Sequence, residues 1–315
     1  MNKQTSDQIS LGTSGLKVSS IGVGTNRWGT NHQANPGLQP VFQAALEAGI
    51  NLFDTAEIYN MGGSEKTLGQ FLPAAGTSVI VTTKFIPLPW RLGKASLKAA
   101  LSASLQRLQL KSVDLYLIHM PWPPVPIETW MDGLADVLQA GLVRAVGVSN
   151  YSVDQTRRAQ AALAKRGVAL TCNQVEFSLL KRGPERNGLL ELCHQLGVTL
   201  IAYRPVASGL LAGKYTLEIP PSGLRGMSVS HQDLINIQPI IQLLIRLGEK
   251  HGGKTPAQVA INWVMSKGAL PIPGATQVKH IQENAGALGW SLNESEVAAL
   301  DEAEERIHKE KLANS

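Results

Sequence analysis

Short apolar runs recur along the chain, each followed by a longer stretch in which apolar residues return every three or four positions. The runs are SIGVGT (20–25), NLFDT (51–55), VIVTTK (79–84), DLYLIH (114–119), VRAVGVS (143–149), TCNQVEF (171–177), TLIAYRP (199–205) and GALPIPG (268–274). Most are apolar at consecutive positions, the pattern of strands covered on both faces. Between them, segments such as SLKAALSASLQRLQL, MDGLADVLQAG, SVDQTRRAQAALAKRG and GLLELCHQLGV read as helices, several closing on glycine. The first seven runs begin roughly 30 residues apart, the length of one strand–helix–strand unit. Eight such runs without a linker predict a (β/α)8 TIM barrel, an α/β fold forming a single domain over 1–315, with 1–10 as a flexible tail. A doubly wound dinucleotide fold would need GxGxxG after the first strand, whereas GVGTNRWG carries glycines at 22, 24 and 29.

Three segments add to the repeat. ISLGTSGLKVSS reads as a β-hairpin turning at Thr13–Gly15, placed to plug the bottom of the barrel. MGGSEKTLGQFL reads as a helix start with Ser64 as its N-cap. The long loop between strands seven and eight, 206–267, carries PPSGLRG and then two helices at about 235–250 and 256–266. Long loops at the top of a barrel usually cover something.

A hydrophobic content of 43% with 17% charged residues describes a globular chain with a sizeable core. The two cysteines, Cys172 and Cys193, form no CxxC and no zinc-type spacing. A reducing, cytoplasmic setting without a metal is expected. The net charge of +5 is scattered, with no basic run of five, so no nucleic-acid partner is expected. The same charge would suit a cleft that holds phosphates. A polar start, MNKQTSDQIS, and the lack of long apolar runs point away from secretion and from the membrane.

The active site of such a barrel sits at the C-terminal ends of its strands. Asp54 stands at the mouth of the second run, Lys84 closes the third and His119 the fourth, with Tyr59 in the loop after Asp54. Singly, each has an ordinary explanation as a turn residue, a solvated strand end or a packed ring. Together they converge on one face.

FDTAEIY, the lysine of VTTKF and the histidine of DLYLIHMPWPP resemble the Asp–Tyr–Lys–His tetrad of the aldo-keto reductase family, and the similarity covers nearly the whole chain. GLVRAVGVSNYS and CNQVEFSLL resemble its nicotinamide-binding segments, AYRPVASGLLAGKY its pyrophosphate loop, and PIPGATQVKHIQENAGAL its adenine-binding end. The resemblance implies reduction of aldehydes or ketones with NADP as cofactor, ahead of NAD. Carbonyl reduction needs a hydride at carbon and a proton at oxygen, and a free phenol is a poor acid at neutral pH. Tyr59 is therefore expected to donate the proton and Lys84 to lower its pKa. Asp54 would keep Lys84 charged and aimed, and His119 would orient the carbonyl.

By the same resemblance, Ser149, Asn150 and Gln174 would hold the carboxamide, and Tyr203 would stack on the nicotinamide. Gly24, Thr25 and Asp54 would border the cofactor. The pyrophosphate would be wrapped by Pro205, Val206, Ala207, Ser208, Gly209 and Leu211 with Lys214, and clamped by Arg225, and Arg204 would also touch the cofactor. Gly274, Thr276, His280, Glu283 and Asn284 match the adenosine pocket. The chain departs from the family pattern at Arg204, where many relatives have Ser, and at Thr276, where many have Arg or Lys. The usual cation for a ribose 2′-phosphate is thus missing there. Trp28, Trp90 and Trp122 fall in top-face loops and would form an aromatic mouth for a small carbonyl substrate. A monomer or weak homo-oligomer is expected. The alternative is a nicotinamide-binding regulatory or redox-sensing subunit resembling the potassium-channel β subunits, which share fold and tetrad. An unrelated metal-dependent barrel would need a His/Asp cluster or paired carboxylates, and the sequence shows neither.

Overall fold

The computed structural model describes residues 8–222 and 229–313. All eight apolar runs are strands: β3 (Val23–Gly24), β4 (Leu52–Asp54), β5 (Ile80–Phe85), β6 (Val113–Ile118), β7 (Val143–Ser149), β8 (Cys172–Glu176), β9 (Thr199–Tyr203) and β10 (Leu270–Ile272). They lie side by side in chain order and pair in parallel. The amides of Gly22 and Gly24 donate to Pro271 O and Pro273 O at 2.9 and 3.0 Å, and a parallel bridge joins Gly24 to Gly274. These contacts close the sheet into a (β/α)8 barrel.

Side chains alternate across a strand, and here both faces are apolar because both are covered. Leu52, Ile80, Leu115, Leu117, Ala145, Cys172, Ile201, Leu270 and Ile272 fill the barrel interior, while Phe53, Val81, Tyr116, Ile118, Val146, Val148, Leu200 and Ala202 join the larger cluster under the helices. The interior is sealed below by a hairpin, β1 (Gln8–Ser10) and β2 (Lys17–Ser19), which adds Leu11, Leu16 and Val18 to the same cluster. Gly12 donates to Thr199 Oγ1 at 2.7 Å. Its φ is +52°, and a Cβ there would lie 2.4 Å from Thr171 O, so the turn docks only as glycine.

Alternation also sets the top of the barrel. An even number of residues beyond the apolar interior positions stand Asp54, Lys84, His119, Ser149, Gln174 and Tyr203. The same period that buries leucines lower down aims these six polar groups inward at the C-terminal end.

Three expectations change. Gln8–Ser10, placed in a tail, forms the hairpin's first strand, and residues 1–7 lie outside the described ones. Ser64 is not an N-cap: the helix Gly63–Phe71 starts after Gly62 at φ +86°, and Ser64 Oγ sits 2.8 Å from Thr25 O, Thr25 Oγ1 and Thr55 Oγ1. A buried triad of hydroxyls outbids the local cap. In the long loop the first helix runs His231–Lys250, earlier than expected, because Ser230 and Asp233 form a capping box. The second is Pro256–Ser266. Arg225 lies outside the described residues.

Gly147 on β7 has no room for a side chain. A Cβ would stand 2.6 Å from Cys172 Sγ, 2.7 Å from Leu117 Cδ2 and 2.9 Å from Cys172 O. Gly147→Ala should destabilise the fold by about 1–3 kcal/mol, the usual effect of overpacking. A denaturant midpoint unchanged from the parent would show that the interior can yield at this layer.

Candidate active site

At the centre of the polar layer is an ammonium with no solvent exposure. Lys84 Nζ donates to Asp54 Oδ2 and to Thr55 O, both at 2.7 Å, and lies 3.5 Å from Tyr59 Oη. The other oxygen of Asp54 accepts from Gln174 Nε2 at 2.7 Å, across the barrel. Burial works to lower the Lys84 pKa, but Asp54 and Tyr59 outweigh it and hold the group above its ordinary value. The lysine is charged throughout the physiological range. The carbonyl of Thr55 was not foreseen, since a main-chain acceptor leaves no mark in a sequence.

Tyr59 enters from a short turn in which Asn60, Met61 and Gly62 take φ of 50°, 53° and 86°. Asn60 Nδ2 anchors that turn to Asn26 O and Trp28 O, at 3.1 and 2.9 Å. The His119 ring stands edge-on to Tyr59, with centroids 5.7 Å apart at 80°. Lys84 does pull the Tyr59 pKa down, as expected, but burial raises it by more than Lys84 and Arg204 lower it, with Asp54 adding to the rise, so the net shift is upward. Burial, with Lys84 as a second cause, pushes His119 down to about 3, so the imidazole is neutral at physiological pH. Its Nδ1 is buried with no hydrogen-bond partner. The constellation thus offers one fixed cation, one neutral phenol and one neutral imidazole around a small space.

Beside it, the ends of β7, β8 and β9 are bound together. Asn150, at φ 62°, donates from Nδ2 to His119 O and Ser149 Oγ, while its Oδ1 accepts from Tyr203 Oη at 3.0 Å. Ser149 Oγ donates to Gln174 O at 2.8 Å. Beyond Tyr203 the chain turns sharply through Arg204, Ala207, Ser208 and Gly209, all at positive φ. Pro205 and Leu211 are buried, Val206 is half-buried, and Lys214 is exposed beside the Tyr215 ring. Arg204 is exposed, 3.4 Å from Glu176.

The residues expected at the adenosine end stand after β10. Thr276 N donates to His280 Nδ1 at 3.3 Å, Glu283 accepts from Thr255 Oγ1 at 3.4 Å, and Asn284 is buried. Gly24 meets Gly274 at the barrel seam. Burial, then Lys279 and Lys214, keep the His280 pKa below its ordinary value against Glu283. Thr25 commits its hydroxyl to Asp54 O and Ser64, inside the wall.

The aromatic mouth needs correction. Trp28 is fully buried, donates to Ala275 O at 2.7 Å and packs against Phe53 and Phe71 in the helix-side core. Trp90 and Trp122 are exposed at 73% and 42%, together with Ile58, Met61 and Leu92. A cavity of about 450 Å³ lined by Asn262, Met265, Leu292, Val297 and Asp301 lies apart from all of these groups. Among the described residues no cluster of His, Cys, Asp or Glu could hold a metal, and no helix is long and apolar enough to cross a membrane.

Comparison with known proteins agrees with the architecture over most of the chain. The chain is 39% identical to pyridoxal reductase, chloroplastic, of Arabidopsis thaliana over 95% of its own length and 87% of the relative's. Among solved structures, the glycerol dehydrogenase of Gluconobacter oxydans superposes with a TM-score of 0.84 at 27% identity, covering 96% of each chain. An aldo-keto reductase from Klebsiella pneumoniae in complex with NADPH superposes with a TM-score of 0.73 at 31% identity, covering 96% of this chain and 95% of that one. The sequence model of the aldo/keto reductase family matches residues 20–305, and with the barrel and relatives of 30% identity or more the chain belongs to that family.

Proposed function

We propose that the protein reduces aldehydes or ketones to alcohols with NADPH, Tyr59 delivering the proton. The observation that carries this reading is the buried chain Asp54–Lys84–Tyr59 with neutral His119 beside it. The cofactor, when bound, supplies a hydride to the carbonyl carbon. The remaining work belongs to side chains. Tyr59 keeps its proton at neutral pH, the state a donor must hold before reaction. As negative charge develops on its oxygen, the Lys84 ammonium stands ready. Unit charges about 4 Å apart interact by on the order of 4 kcal/mol at an effective dielectric near 20. Asp54 keeps that ammonium charged and aimed. His119, being neutral, can hydrogen-bond a carbonyl oxygen without adding a second cation.

The residues fit a dinucleotide. His119 Nδ1 is buried and unpartnered, Tyr203 is half-buried, and the left-handed turn at Ala207–Gly209 supplies backbone that would wrap a pyrophosphate. Ser149, Asn150 and Gln174 would hold the carboxamide, Pro205–Leu211 with Lys214 the pyrophosphate, and Thr276, His280, Glu283 and Asn284 the adenosine. The NADPH complex of the Klebsiella relative supports NADP as the cofactor. The exposed Trp90 and Trp122, in loops after β5 and β6, would suit a flat aromatic aldehyde. The Arabidopsis relative's name supports pyridoxal as the first compound to assay. Both cysteines are free thiols, which supports a reducing compartment such as the cytoplasm.

Two outcomes are expected. Tyr59→Phe should lower turnover by about 10²–10⁴, the usual worth of general acid catalysis, with NADPH affinity nearly unchanged. Turnover above a tenth of the parent's, with chemistry rate-limiting, would remove Tyr59 from the role. The second concerns cofactor choice. A charge-assisted hydrogen bond contributes roughly 1.5–3 kcal/mol, so with Thr276 in place of a cation the kcat/KM ratio for NADPH over NADH should stay below about a thousand. Thr276→Arg should raise it at least about tenfold. Because the His280 pKa is lowered, the imidazole charges only below its ordinary range, and the ratio should be flat between pH 7 and 8. A wild-type ratio well above a thousand at pH 8 would mean that another group, such as Lys279, reads the phosphate.

A further inference from the structure

Two carboxylates, half-buried Glu57 and fully buried Glu65, bracket the Tyr59 turn, and the proton chemistry above uses neither. Glu57, two residues before Tyr59, accepts from Ile86 N at 2.8 Å and from both terminal nitrogens of Arg91, Nη2 at 3.2 Å. Glu65, at the start of the following helix, has no solvent exposure. It accepts from Thr83 Oγ1 at 2.5 Å and Arg107 Nε at 2.6 Å. All four partners belong to one neighbouring unit: Thr83 lies on β5, Ile86 and Arg91 in the loop after it, and Arg107 on the helix Lys94–Leu108. That unit carries Lys84, whose side chain faces inward while that of Thr83 faces the helices.

The turn between the two carboxylates needs holding. Asn60, Met61 and Gly62 are consecutively left-handed, a conformation that non-glycine residues keep only when their surroundings impose it. The Arg107 stem fills the space at Gly62, where a Cβ would meet its Cδ at 2.6 Å. Stability is a poor reason to bury these ions, since an apolar pair of similar volume often does as well. A guanidinium fork bonded to a carboxylate does fix direction and distance between two elements. The distance at stake is the 3.5 Å from Lys84 Nζ to Tyr59 Oη, already at the limit of a hydrogen bond.

We propose that Glu57–Arg91 and Glu65–Arg107 are positioning pairs that clamp both ends of the Tyr59 turn to the β5 unit and so set the Tyr59–Lys84 separation for proton transfer. This rests on the reading of Tyr59 as proton donor, and the test separates the two. Arg91→Ala and Arg107→Ala are each made in the parent and in Tyr59→Phe. The readouts are kcat for an aromatic aldehyde, the isotope effect with NADPH deuterated at the transferred hydrogen, and the NADPH dissociation constant from tryptophan quenching. In the parent background kcat should fall roughly 10–100-fold, the scale of a misplacement of about 1 Å, with the dissociation constant within about twofold. In Tyr59→Phe the same changes should cost less than about twofold, because the group they position is gone. Arg107→Lys should recover part of the loss. The proposal is overturned if kcat stays within about twofold of the parent in both arginine variants, or if the loss is equal in the two backgrounds. If an alanine variant does not fold, Glu65→Gln and Arg107→Lys are judged by the same comparison. A Tyr59→Phe enzyme that keeps its turnover sinks the proton-donor reading, and this proposal with it, before any arginine is changed.

Discussion

A lysine ammonium with no access to water is the constraint around which the top of this barrel is arranged. An isolated charge in such a place is too costly to keep. Lys84 therefore requires the Asp54 carboxylate and the Thr55 carbonyl within 2.7 Å, and Asp54 in turn requires Gln174 from the far side. That chain of needs ties β4, β5 and β8 together at one level. It works because the strands are closed into a ring, so that residues 120 positions apart in sequence meet across the interior.

The ring itself follows from alternation. Most strands bury apolar residues on both faces, and the hairpin Gln8–Ser19 seals the interior below. With the bottom filled, most of the inward polar groups stand at the ends of the strands. Site and core are consecutive layers of one pattern. The backbone above that layer is less regular: left-handed residues occur at Asn60–Gly62, Asn150, Arg204 and Ala207–Gly209. These are the places where loops must turn over the mouth, and side-chain hydrogen bonds such as those of Asn60 and Asn150 hold two of them.

Burial divides the protonation states among three groups a few ångströms apart. Lys84 stays charged because its partners outweigh desolvation, while Tyr59 and His119 stay neutral because desolvation wins. An acid that keeps its proton until charge develops, next to a cation that is always present, suits carbonyl reduction better than a phenol already half ionised. On the proposed reading of Tyr59 as proton donor, the Lys84 ammonium 3.5 Å away would act mainly on the phenolate as it develops.

The sequence by itself determined the eight strands, the plugging hairpin, the long loop before β10 and the four residues Asp54, Tyr59, Lys84 and His119. Each is written in local terms: apolar runs at a regular interval, and polar residues at strand ends where alternation leaves them facing inward. The family motifs marked the segments proposed to hold the cofactor. What needed the tertiary structure was everything decided by neighbours distant along the chain. Trp28 reads as a loop residue, yet Phe53, Phe71 and the Ala275 carbonyl draw it into the core. Ser64 reads as a cap, yet Thr25 and Thr55 claim its hydroxyl. The direction of the Tyr59 pKa depends on how completely the folded chain excludes water, which residue types alone do not record. The arginines that grip Glu57 and Glu65 are 34 and 42 positions away. Only folding makes them neighbours of the tyrosine they bracket.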